Sequence, residues 1–502
     1  MRGIYTEATA IRRRVFKEVA KLAFDEVDYA KIEDLPYKII TGETASFRES
    51  IFLERAIVGE RLRLAIGLPV RDYTEYAPVS DKINESAIEE KYYDPPLINI
   101  IKFACNSCPD NVVTVTSACQ KCLAHPCHEV CPVNAISFKK GRSVINQEKC
   151  VKCGLCIKAC PYDAILRMKR PCAEACGVHA ISSDELGRAE IDYDKCVSCG
   201  MCLVNCPFSA IADKGQIFQT VLALKDPANK VFAAVAPAFV GQFGPKVSVE
   251  KLNAAFKKLG FAGVVEVAIG ADLCTIEEAK DFKESVPEKL PFMATSCCPA
   301  WASMAKKMFP EQANCISMAL TPMVLTGRLI KKIHPGYKVV FIGPCSAKKL
   351  EASRKKVRSD VDFVLTFEEM VGIFEARNID LDDLEEKEMA LQASEDGRGF
   401  AASGGVAQAV VDCLKKDYPD LEINVMQADG LDNCYKMMLA AKAGKYDGYL
   451  LEGMACPGGC VAGAGTMLEI NKATKELGEH KKKAPFKASS DTKYKEYLDL
   501  LD

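Results

Sequence analysis

Sixteen of the 25 cysteines lie between residues 105 and 206, and this concentration limits what the chain can fold into more than any other feature. Four hexapeptides with a common ending occur in this stretch: CPVNAI from Cys131, CPYDAI from Cys160, CGVHAI from Cys176 and CPFSAI from Cys206. A unit that recurs in this way predicts a repeated structural element. Each copy ends in an Ala-Ile pair that is suited to packing a small core.

Two of the copies complete the run C-x2-C-x2-C-x3-C-P, which is the spacing of bacterial ferredoxins. The cysteines of these regular runs are Cys150, Cys153, Cys156, Cys160 and Cys196, Cys199, Cys202, Cys206. In such runs three cysteines bind one [4Fe-4S] cubane and the fourth binds the neighbouring cubane. Half-repeats of this kind are therefore expected to work in pairs.

The other two copies are irregular, and a separate C-x2-C pair precedes them. Their cysteines are Cys119, Cys122, Cys127 and Cys131 in the first copy, Cys172 and Cys176 in the third, and Cys105 and Cys108 in the separate pair. With that pair the count closes at four cysteines for each of four cubanes.

Crossed ligation then predicts how the sixteen cysteines are shared. The four sets are Cys119, Cys122, Cys127 with Cys160; Cys150, Cys153, Cys156 with Cys131; Cys196, Cys199, Cys202 with Cys176; and Cys105, Cys108, Cys172 with Cys206. A simpler alternative pairs the two regular runs with each other. The remaining eight cysteines then form one or two irregular clusters or a zinc site.

Three further loops rich in glycine or proline contain five more cysteines. The loops are Thr295–Trp301 (TSCCPAW), Gly343–Glu351 (GPCSAKKLE) and Gly453–Gly465 (GMACPGGCVAGAG). Thiolates are the ligands that iron-sulfur centres prefer, and four of them suffice for a cubane. One cysteine is left over.

These three loops resemble the signature loops of [FeFe]-hydrogenases, and the resemblance extends over about Val231–Gly465. It implies that Cys298, Cys345, Cys456 and Cys460 hold the cubane of an H-cluster, with Cys460 bridging to a two-iron subsite that carries CO, CN and azadithiolate. The left-over Cys297 matches the thiol that passes protons to the dithiolate amine.

The resemblance also implies a proton path and nearby positioning residues. Segment Ala271–Lys283 is similar to the acidic relay helix of the family, with Glu278 and Asp281 on one helix face. With Cys297 and Ser317 these acids form the family's path, although Asp281 stands where glutamate is usual. Lys348 matches a lysine that grips a cyanide, and Met454 matches a methionine near the bridging carbonyl.

Some positions depart from the better-studied hydrogenases. Gly343 stands where they have methionine, so the cavity is expected to be roomier or refilled by another side chain. Ala238 lies in a stretch that usually contains polar residues, and the last loop ends in GAG rather than GGG. These departures resemble a less-studied branch of the family.

Composition excludes several classes of partner. Lys and Arg number 66 and Asp and Glu 68, a net charge of −2, so nothing indicates binding to nucleic acid or an anionic membrane surface. The sequence shows no apolar run of about 18 residues and opens without an apolar signal core, so we expect a cytoplasmic protein with reduced cysteines.

The predicted fold class is α+β and α/β, with ferredoxin-like repeats followed by a catalytic domain. Apolar runs at Val231–Val240, Val339–Cys345 and Tyr449–Cys456 each predict a strand that delivers a ligand loop, and the helical patterns between them favour a parallel sheet. The family resemblance implies two lobes. Four regions are predicted: mostly helical 1–99, ferredoxin-like 100–215, catalytic 216–470 and a helical tail 471–502. Within that tail, residues 480–487 are expected to be solvated.

The predicted function is that of a ferredoxin-linked [FeFe]-hydrogenase, which interconverts 2 H+ + 2 e− and H2. Its cofactors would be the H-cluster and up to four accessory [4Fe-4S] clusters. Its partners would be protons and H2, a ferredoxin-type electron carrier and maturation proteins that deliver the two-iron subsite. Two alternatives are a hydrogen-sensing relative and an iron-sulfur assembly or electron-transfer protein without the two-iron site.

Overall fold

The computed structural model describes residues 3–354, 359–386 and 393–501. The first region is helical. Its α-helices are α1 Glu7–Asp25, α2 Leu35–Ile39, α3 Ile51–Ala65 and α4 Ile83–Ser86. Thr6 caps α1 by accepting a hydrogen bond from the Thr9 N–H, and Val15 and Val19 lie on the buried face of this helix. Helix α1 packs against α3 and against two helices of the catalytic region described below.

The cysteine-rich region consists of short helices and two-stranded antiparallel pairs. Its elements are β1 Ile98–Ile100, β2 Val112–Val115, α5 Pro126–Glu129, β3 Ile136–Lys139, β4 Arg142–Ile145, α6 Leu155–Ala159, β5 Ile165–Met168, α7 Pro171–Glu174, β6 Ile181–Ser183, β7 Ala189–Ile191, α8 Met201–Asn205 and β8 Ile211–Asp213. The pairs are β1 with β8, β2 with β5, β3 with β4 and β6 with β7. The repeated Ala-Ile endings supply buried residues such as Ile136, Ile165 and Ile211.

The rest of the chain alternates strands and helices. Its elements are α9 Ile217–Lys225, β9 Val231–Val235, α10 Val249–Leu259, β10 Gly263–Glu266, α11 Ala268–Ser285, β11 Met293–Ala294, α12 Pro299–Met308, α13 Pro322–Ile333, β12 Lys338–Gly343, α14 Ser346–Ser353, β13 Phe363–Thr366, α15 Phe367–Ala376, α16 Glu395–Gly399, α17 Gly405–Asp417, β14 Asn424–Asp429, α18 Leu431–Lys442, β15 Tyr449–Met454 and α19 Ile470–Lys481. Strands β10-β9-β12-β13 form one parallel sheet and β11-β15-β14 another, so the predicted mixture of ferredoxin-like and α/β structure is confirmed. Helix α1 packs on α9 and α15.

The cysteine loops of the catalytic region follow the carboxyl ends of β11, β12 and β15. Two of these strands were predicted. The third prediction was wrong in one respect: β9 leads into a 3-10 turn at Pro237–Phe239 that contains no cysteine, while the TSCCP loop follows the two-residue strand β11. Loops at the carboxyl ends of parallel strands are the usual place for a ligand site.

The cysteine-rich and catalytic regions are held together by a buried ion-pair network. The ammonium of Lys349, at the start of α14, donates to Asp213 of β8 at 2.9 Å and to Glu369 of α15 at 2.9 Å. Lys349 and Glu369 are almost completely buried. Breaking such a pair would leave an uncompensated buried charge, so the network fixes how the two regions meet.

Gly200 forms a second, closer contact between these regions. It has φ +78° at the start of α8, and a Cβ at this position would lie 2.6 Å from the Cβ of Ala464 and 3.0 Å from the Oγ of Ser346. Only glycine permits both this backbone conformation and this approach.

The C-terminal segment packs closely on the catalytic region, and the expectation that residues 480–487 are solvated was wrong for His480. This side chain is buried, and its Nε2 lies 3.3 Å from Glu266, which also pairs with the buried Arg398. The carbonyls of Phe486 and Lys487 accept hydrogen bonds from α16. A basic composition did not predict this because the partners come from distant parts of the chain.

We expect Gly200→Ala to lower the melting temperature further than Gly336→Ala does. Gly336 also has a positive φ of +84°, but no atom of the described chain lies within 4 Å of a Cβ there, so this variant is a matched control for the backbone cost. The additional overpacking at Gly200 should cost about 2 kcal/mol, or roughly 4 °C. Equal melting temperatures of the two variants would contradict the close contact.

Candidate functional site

Four predicted ligand cysteines line one cavity between the two parallel sheets. They are Cys298 after β11, Cys345 after β12, and Cys456 and Cys460 after β15. Cys297 lines the same cavity. The structure therefore brings together all five cysteines of the three signature loops, although these loops are far apart in sequence.

Local structure fixes the direction of each ligand loop. The Thr295 N–H donates to Leu451 O at 2.9 Å and extends the pairing of β11 with β15. Cys298 and Cys345 are the N-cap residues of α12 and α14. The partial positive charge at a helix N-terminus favours a thiolate, so both positions suit an anionic ligand.

Burial opposes ionisation of these thiols in the absence of a cation. It raises the pKa of Cys345 to about 11 and raises the pKa of Cys456 and Cys460, and the neighbouring thiols raise each value further. Four thiolates crowded into an apolar cavity require positive charge between them. An iron-sulfur cubane meets this requirement because coordination to metal deprotonates thiols. The donor set therefore fits such a group.

The walls of the cavity are apolar. Ala238, Met454 and Phe400 line it, and all three are buried. Gly343 does not line it, because the ring of Phe341 covers this position: a Cβ on Gly343 would lie 2.4 Å from that ring. Phe341 itself lines the cavity, so the space opened by glycine is refilled by an aromatic side chain from the same strand.

Lys348 is the buried cation of the site. Its ammonium donates to Glu351 at 2.7 Å, to the Thr321 hydroxyl at 3.0 Å and to the Cys297 carbonyl at 3.4 Å. Burial acts to lower its pKa, but Glu351 and the nearby cysteines outweigh this and raise it. Lys348 is therefore a fixed, charged donor at the cavity wall.

Cys297 and Glu278 adjoin each other on the side of the cavity toward α11. The Glu278 carboxylate accepts from the Ser296 N–H at 3.0 Å and is fully buried. Burial is the main reason why its pKa is raised, to about 7. Burial, with Glu278 next in effect, raises the pKa of Cys297, so this thiol is neutral.

The other two members of the predicted proton path adjoin Glu278. The buried Ser317 is close enough to lower the pKa of Glu278, whereas Asp281 raises it. Asp281 is partly buried, and burial followed by Glu284 raises its own pKa. The order from the surface inward is therefore Asp281, Glu278 and Cys297.

Sequence reasoning missed two buried groups beside this path. Glu452 accepts from the N–H groups of Gly404 at 2.6 Å and Ala407 at 2.7 Å, and it contributes to the raised pKa of both Glu278 and Cys297. Cys274 lies one helical turn before Glu278 and is fully buried beside Cys297. The signal for Glu452 was present, since an acidic side chain inside the apolar run YLLEGMAC is costly to bury without a specific partner.

The sixteen cysteines between residues 105 and 206 surround further sites. One cavity is lined by Cys119, Cys122, Cys127 and Cys160, and another by Cys105, Cys108, Cys172 and Cys206. One hydrophobic cluster contains Cys127, Cys131, Cys150, Cys156 and Cys160 together. Burial and then the nearby Cys199, Cys196 and Cys176 raise the pKa of Cys202.

This placement groups Cys160 with the first copy and Cys206 with the Cys105–Cys108 pair, while the crossed partition of ligands stays a prediction. Within residues 3–354, 359–386 and 393–501, no three His, Cys, Asp or Glu groups could hold a single metal ion. A four-iron cluster is larger and holds its ligands further apart.

Cys199 connects the cysteine-rich region to the catalytic cavity. It lines that cavity, and burial followed by nearby cysteines that include Cys345 raises its pKa to about 12. The last accessory set therefore adjoins the signature loops directly. The four cysteines outside these sets, Cys274, Cys315, Cys413 and Cys434, are all buried.

The fold and the five-cysteine cavity define an iron-sulfur protein with a hydrogenase-type α/β region. The family model "Iron only hydrogenase large subunit, C-terminal domain" matches residues 229–464, and two "4Fe-4S binding domain" models match residues 143–166 and 188–211. The periplasmic [Fe] hydrogenase large subunit of Nitratidesulfovibrio vulgaris is 32% identical over 367 residues, which cover 64% of this chain and 85% of that protein. The chain belongs to the [FeFe]-hydrogenase family.

Two other relatives differ in what their names state. Iron hydrogenase 1 of Clostridium pasteurianum is 29% identical over 305 residues, which cover 51% of this chain and 53% of that protein, so the chain spans about half the length of this relative. Cytosolic iron-sulfur assembly component 3 of Pongo abelii is 26% identical over 306 residues, covering 49% of this chain and 63% of that protein. Family membership therefore includes proteins named for assembly as well as hydrogenases.

We expect Glu278 to titrate near neutral pH. Because its pKa is raised from 4.5 to about 7, the carboxyl should be protonated at pH 6 and largely ionised at pH 8. Infrared difference spectra between these pH values should contain a carboxylic acid band that Glu278→Gln lacks and that the exposed control Glu288→Gln retains. Asp272 also has a pKa raised to about 7 by burial, so the comparison of variants is what isolates Glu278. Identical difference spectra for all three proteins would contradict the assignment.

Proposed function

We propose that this protein is an [FeFe]-hydrogenase that catalyses the reversible reaction 2 H+ + 2 e− ⇌ H2. The observation that carries this proposal is the cavity with four ligand cysteines and a fifth, neutral cysteine that adjoins a protonatable carboxyl. An iron-sulfur role alone explains four cysteines. It does not explain why Cys297, Glu278 and Lys348 are buried beside them.

In the proposed site each of this chain's own residues has a defined task. Cys298, Cys345, Cys456 and Cys460 would hold a cubane, and Cys460 would bridge to a two-iron subsite with CO, CN and azadithiolate. When bound, this group supplies the redox chemistry that interconverts protons and H2. Lys348 would donate a hydrogen bond to an anionic ligand, and Ala238 and Met454 would exclude water.

Protons would enter along α11. Asp281 receives a proton at the protein surface, Glu278 holds it as a buried acid with a pKa near 7, and the Cys297 thiol presents it to the cavity. A pKa near the working pH is what a relay requires, because the group then releases and regains its proton readily. Ser317 and a water molecule can bridge the shorter side chain of Asp281.

Electrons would pass through the cysteine-rich region. Cys199 adjoins the catalytic cavity. The predicted set that contains Cys202 and Cys176 lies near the set that contains Cys172. Up to four accessory [4Fe-4S] clusters would form this path. All 25 cysteines lie in the described parts of the chain and are free thiols, so a reducing cytoplasmic setting is part of the proposal.

The proposed electron partner is an acidic carrier of the ferredoxin type. The outer cysteine module, residues 112–169, has nine basic and three acidic residues although the whole chain has a net charge of −2. Ten large apolar side chains are exposed on it, and Cys153 is exposed as well. These apolar residues are Leu123, Val130, Val133, Phe138, Val144, Val151, Leu155, Tyr162, Leu166 and Met168. A basic surface with apolar contacts close to a redox centre suits an acidic partner.

An iron-sulfur assembly role is the second candidate, favoured by the similarity to the assembly component of Pongo abelii. It requires cubanes but no two-iron subsite and no maturation proteins to deliver one. A hydrogen-sensing role would retain the subsite but not rapid turnover. Infrared spectra of protein supplied with the two-iron cofactor separate the assembly role, and turnover rates separate the sensor.

We expect Cys297→Ala to retain carbonyl and cyanide infrared bands after loading but to lose hydrogen evolution by about a hundredfold or more, because the proton donor to the cavity is removed. Cys315→Ala is the matched control, since Cys315 is a buried free cysteine that does not line this cavity. Full activity of the Cys297 variant would contradict the proposed relay. Absence of the bands in the wild type, with iron present, would favour the assembly role.

Reversal of two charges on the outer module should weaken use of a ferredoxin-type carrier. In Lys139→Glu/Lys140→Glu, both exposed, we expect KM for an acidic ferredoxin to rise about tenfold at low salt while activity with a small viologen dye is unchanged. The matched control is Lys472→Glu/Lys475→Glu, two exposed lysines on α19. Equal effects of the two pairs would place the docking surface elsewhere.

A further inference from the structure

The cavity lined by Cys105, Cys108, Cys172 and Cys206 is surrounded by an excess of positive charge. Three arginines hydrogen-bond its loops: Arg48, Arg61 and Arg170. The arginines that form ion pairs elsewhere in the chain are Arg12, Arg13, Arg14, Arg71, Arg188, Arg377 and Arg398. Within the parts of the chain that the structure describes, none of the three cavity arginines is among them.

Arg170 is part of the cavity wall. It is 2% exposed, and its guanidinium donates to three carbonyls: Cys108 O at 2.9 Å, Ser182 O at 2.9 Å and Gly187 O at 2.8 Å. These bonds satisfy its donors but supply no negative charge. Arg170 and the four cysteines line the same cavity.

Arg48 comes from the helical N-terminal region, just before α3. Its guanidinium donates to Ala104 O at 3.0 Å and to Phe208 O at 3.2 Å. The first of these carbonyls is next to Cys105 and the second is close to Cys206. Arg48 therefore places a positive charge over two of the loops that carry ligand cysteines.

Arg61 comes from the same region, on α3. It is 6% exposed and donates to the Ser209 hydroxyl at 2.7 Å. Burial, and then Arg12, lowers the pKa of Arg61 to about 10, while Cys206 and then Glu368 act in the opposite direction. Glu368 pairs with Arg12 at 2.6 Å, so its charge is already matched.

A buried cation without a negative partner is unfavourable. Arg61 and Arg170 are both buried beside this cavity, and the half-buried Arg48 lies over its loops. The arrangement is explained if the group in the cavity is anionic, as a cubane with four thiolates is. Arg170 is part of the lining of this cavity, whereas the one basic residue in the lining of the cavity of Cys119, Cys122, Cys127 and Cys160 is the exposed Lys121.

We propose that Arg48, Arg61 and Arg170 form a cationic shell that raises the reduction potential of a [4Fe-4S] cluster in this cavity. When the cluster accepts one electron from a neighbouring cluster or an external reductant, the negative charge of cluster and thiolates grows by one. A fixed positive charge in a poorly screened environment stabilises the reduced form more than the oxidised form. The helical N-terminal region thereby has a redox role as well as a packing role.

The test is a redox titration followed by electron paramagnetic resonance, on the full-length chain with cubanes reconstituted and no two-iron cofactor supplied. The inference rests on the proposed cubane in this cavity but not on hydrogen chemistry. It can therefore fail while the proposed function holds, and it can hold while the proposed function fails. The signal of this cluster is the one lost in Cys105→Ser/Cys108→Ser. Iron is counted for every variant.

In Arg61→Gln and in Arg48→Gln we expect the oxidised-to-reduced ratio at a given potential to rise at least tenfold, a shift of −59 mV for one electron. Arg61→Lys, which keeps the charge, should stay close to the wild type. Arg55→Gln is the matched control, because Arg55 also lies on α3 and donates to carbonyls, those of Ile40 and Gly42, away from the cavity.

Three results would overturn the proposal: unchanged potentials in both glutamine variants at full iron content, an equal shift in Arg61→Lys, or no cubane at this cavity in the wild type. Loss of the cluster in Arg61→Gln but not in Arg61→Lys would support it, because the charge would then be required for binding itself. If the cluster is lost from both Arg61 variants, the potential of Arg48→Gln decides.

Discussion

The contact between α8 and the signature loops is the constraint on which the rest of the structure depends. A buried redox centre is useful only if electrons can reach it, and tunnelling requires short gaps. Gly200 allows the last cysteine run to approach Ser346 and Ala464, and this brings Cys199 to the wall of the catalytic cavity. The buried network of Lys349, Asp213 and Glu369 maintains the approach. Parallel strands on one side and ferredoxin-like hairpins on the other are arranged around this contact.

Charge in the low-dielectric interior organises the site. Burial keeps the thiols neutral, and they become good ligands once the cationic iron-sulfur core is present. The cavity can therefore form first, and its thiols lose their protons when the core binds. Lys348 is stabilised by Glu351, whereas Arg170 has carbonyl partners alone among the described residues. The two arrangements differ in net charge. The lysine that is paired with a carboxylate adds little net charge to its cavity, whereas the arginine without such a partner adds a full positive charge.

Features that depend on local spacing were predictable from the residues alone. The C-x2-C-x2-C-x3-C-P runs and the alternation of strands and helices are of this type, whereas the signature loops were identified by their resemblance to a known family. What escaped prediction depends on distant partners. Strand β11 has two residues and no recognisable period, and His480 is buried only because Glu266 and Arg398 lie beneath it. The position of Cys274 beside Cys297 likewise requires the packing of α11 on the TSCCP loop. Arg48 and Arg61 come from the N-terminal region, and Arg170 comes from the start of α7.

Phe341 and Gly343 are two residues apart on β12, so their side chains project to the same face of the strand. The aromatic ring occupies the volume that any side chain at 343 would need. A larger side chain at 343 alone would clash with the ring, and a smaller side chain at 341 alone would leave a void. Exchange of both residues together conserves volume. Members of this family should consequently differ at these two positions jointly. The wall of the cavity would then change by paired substitutions, because each single substitution is unfavourable.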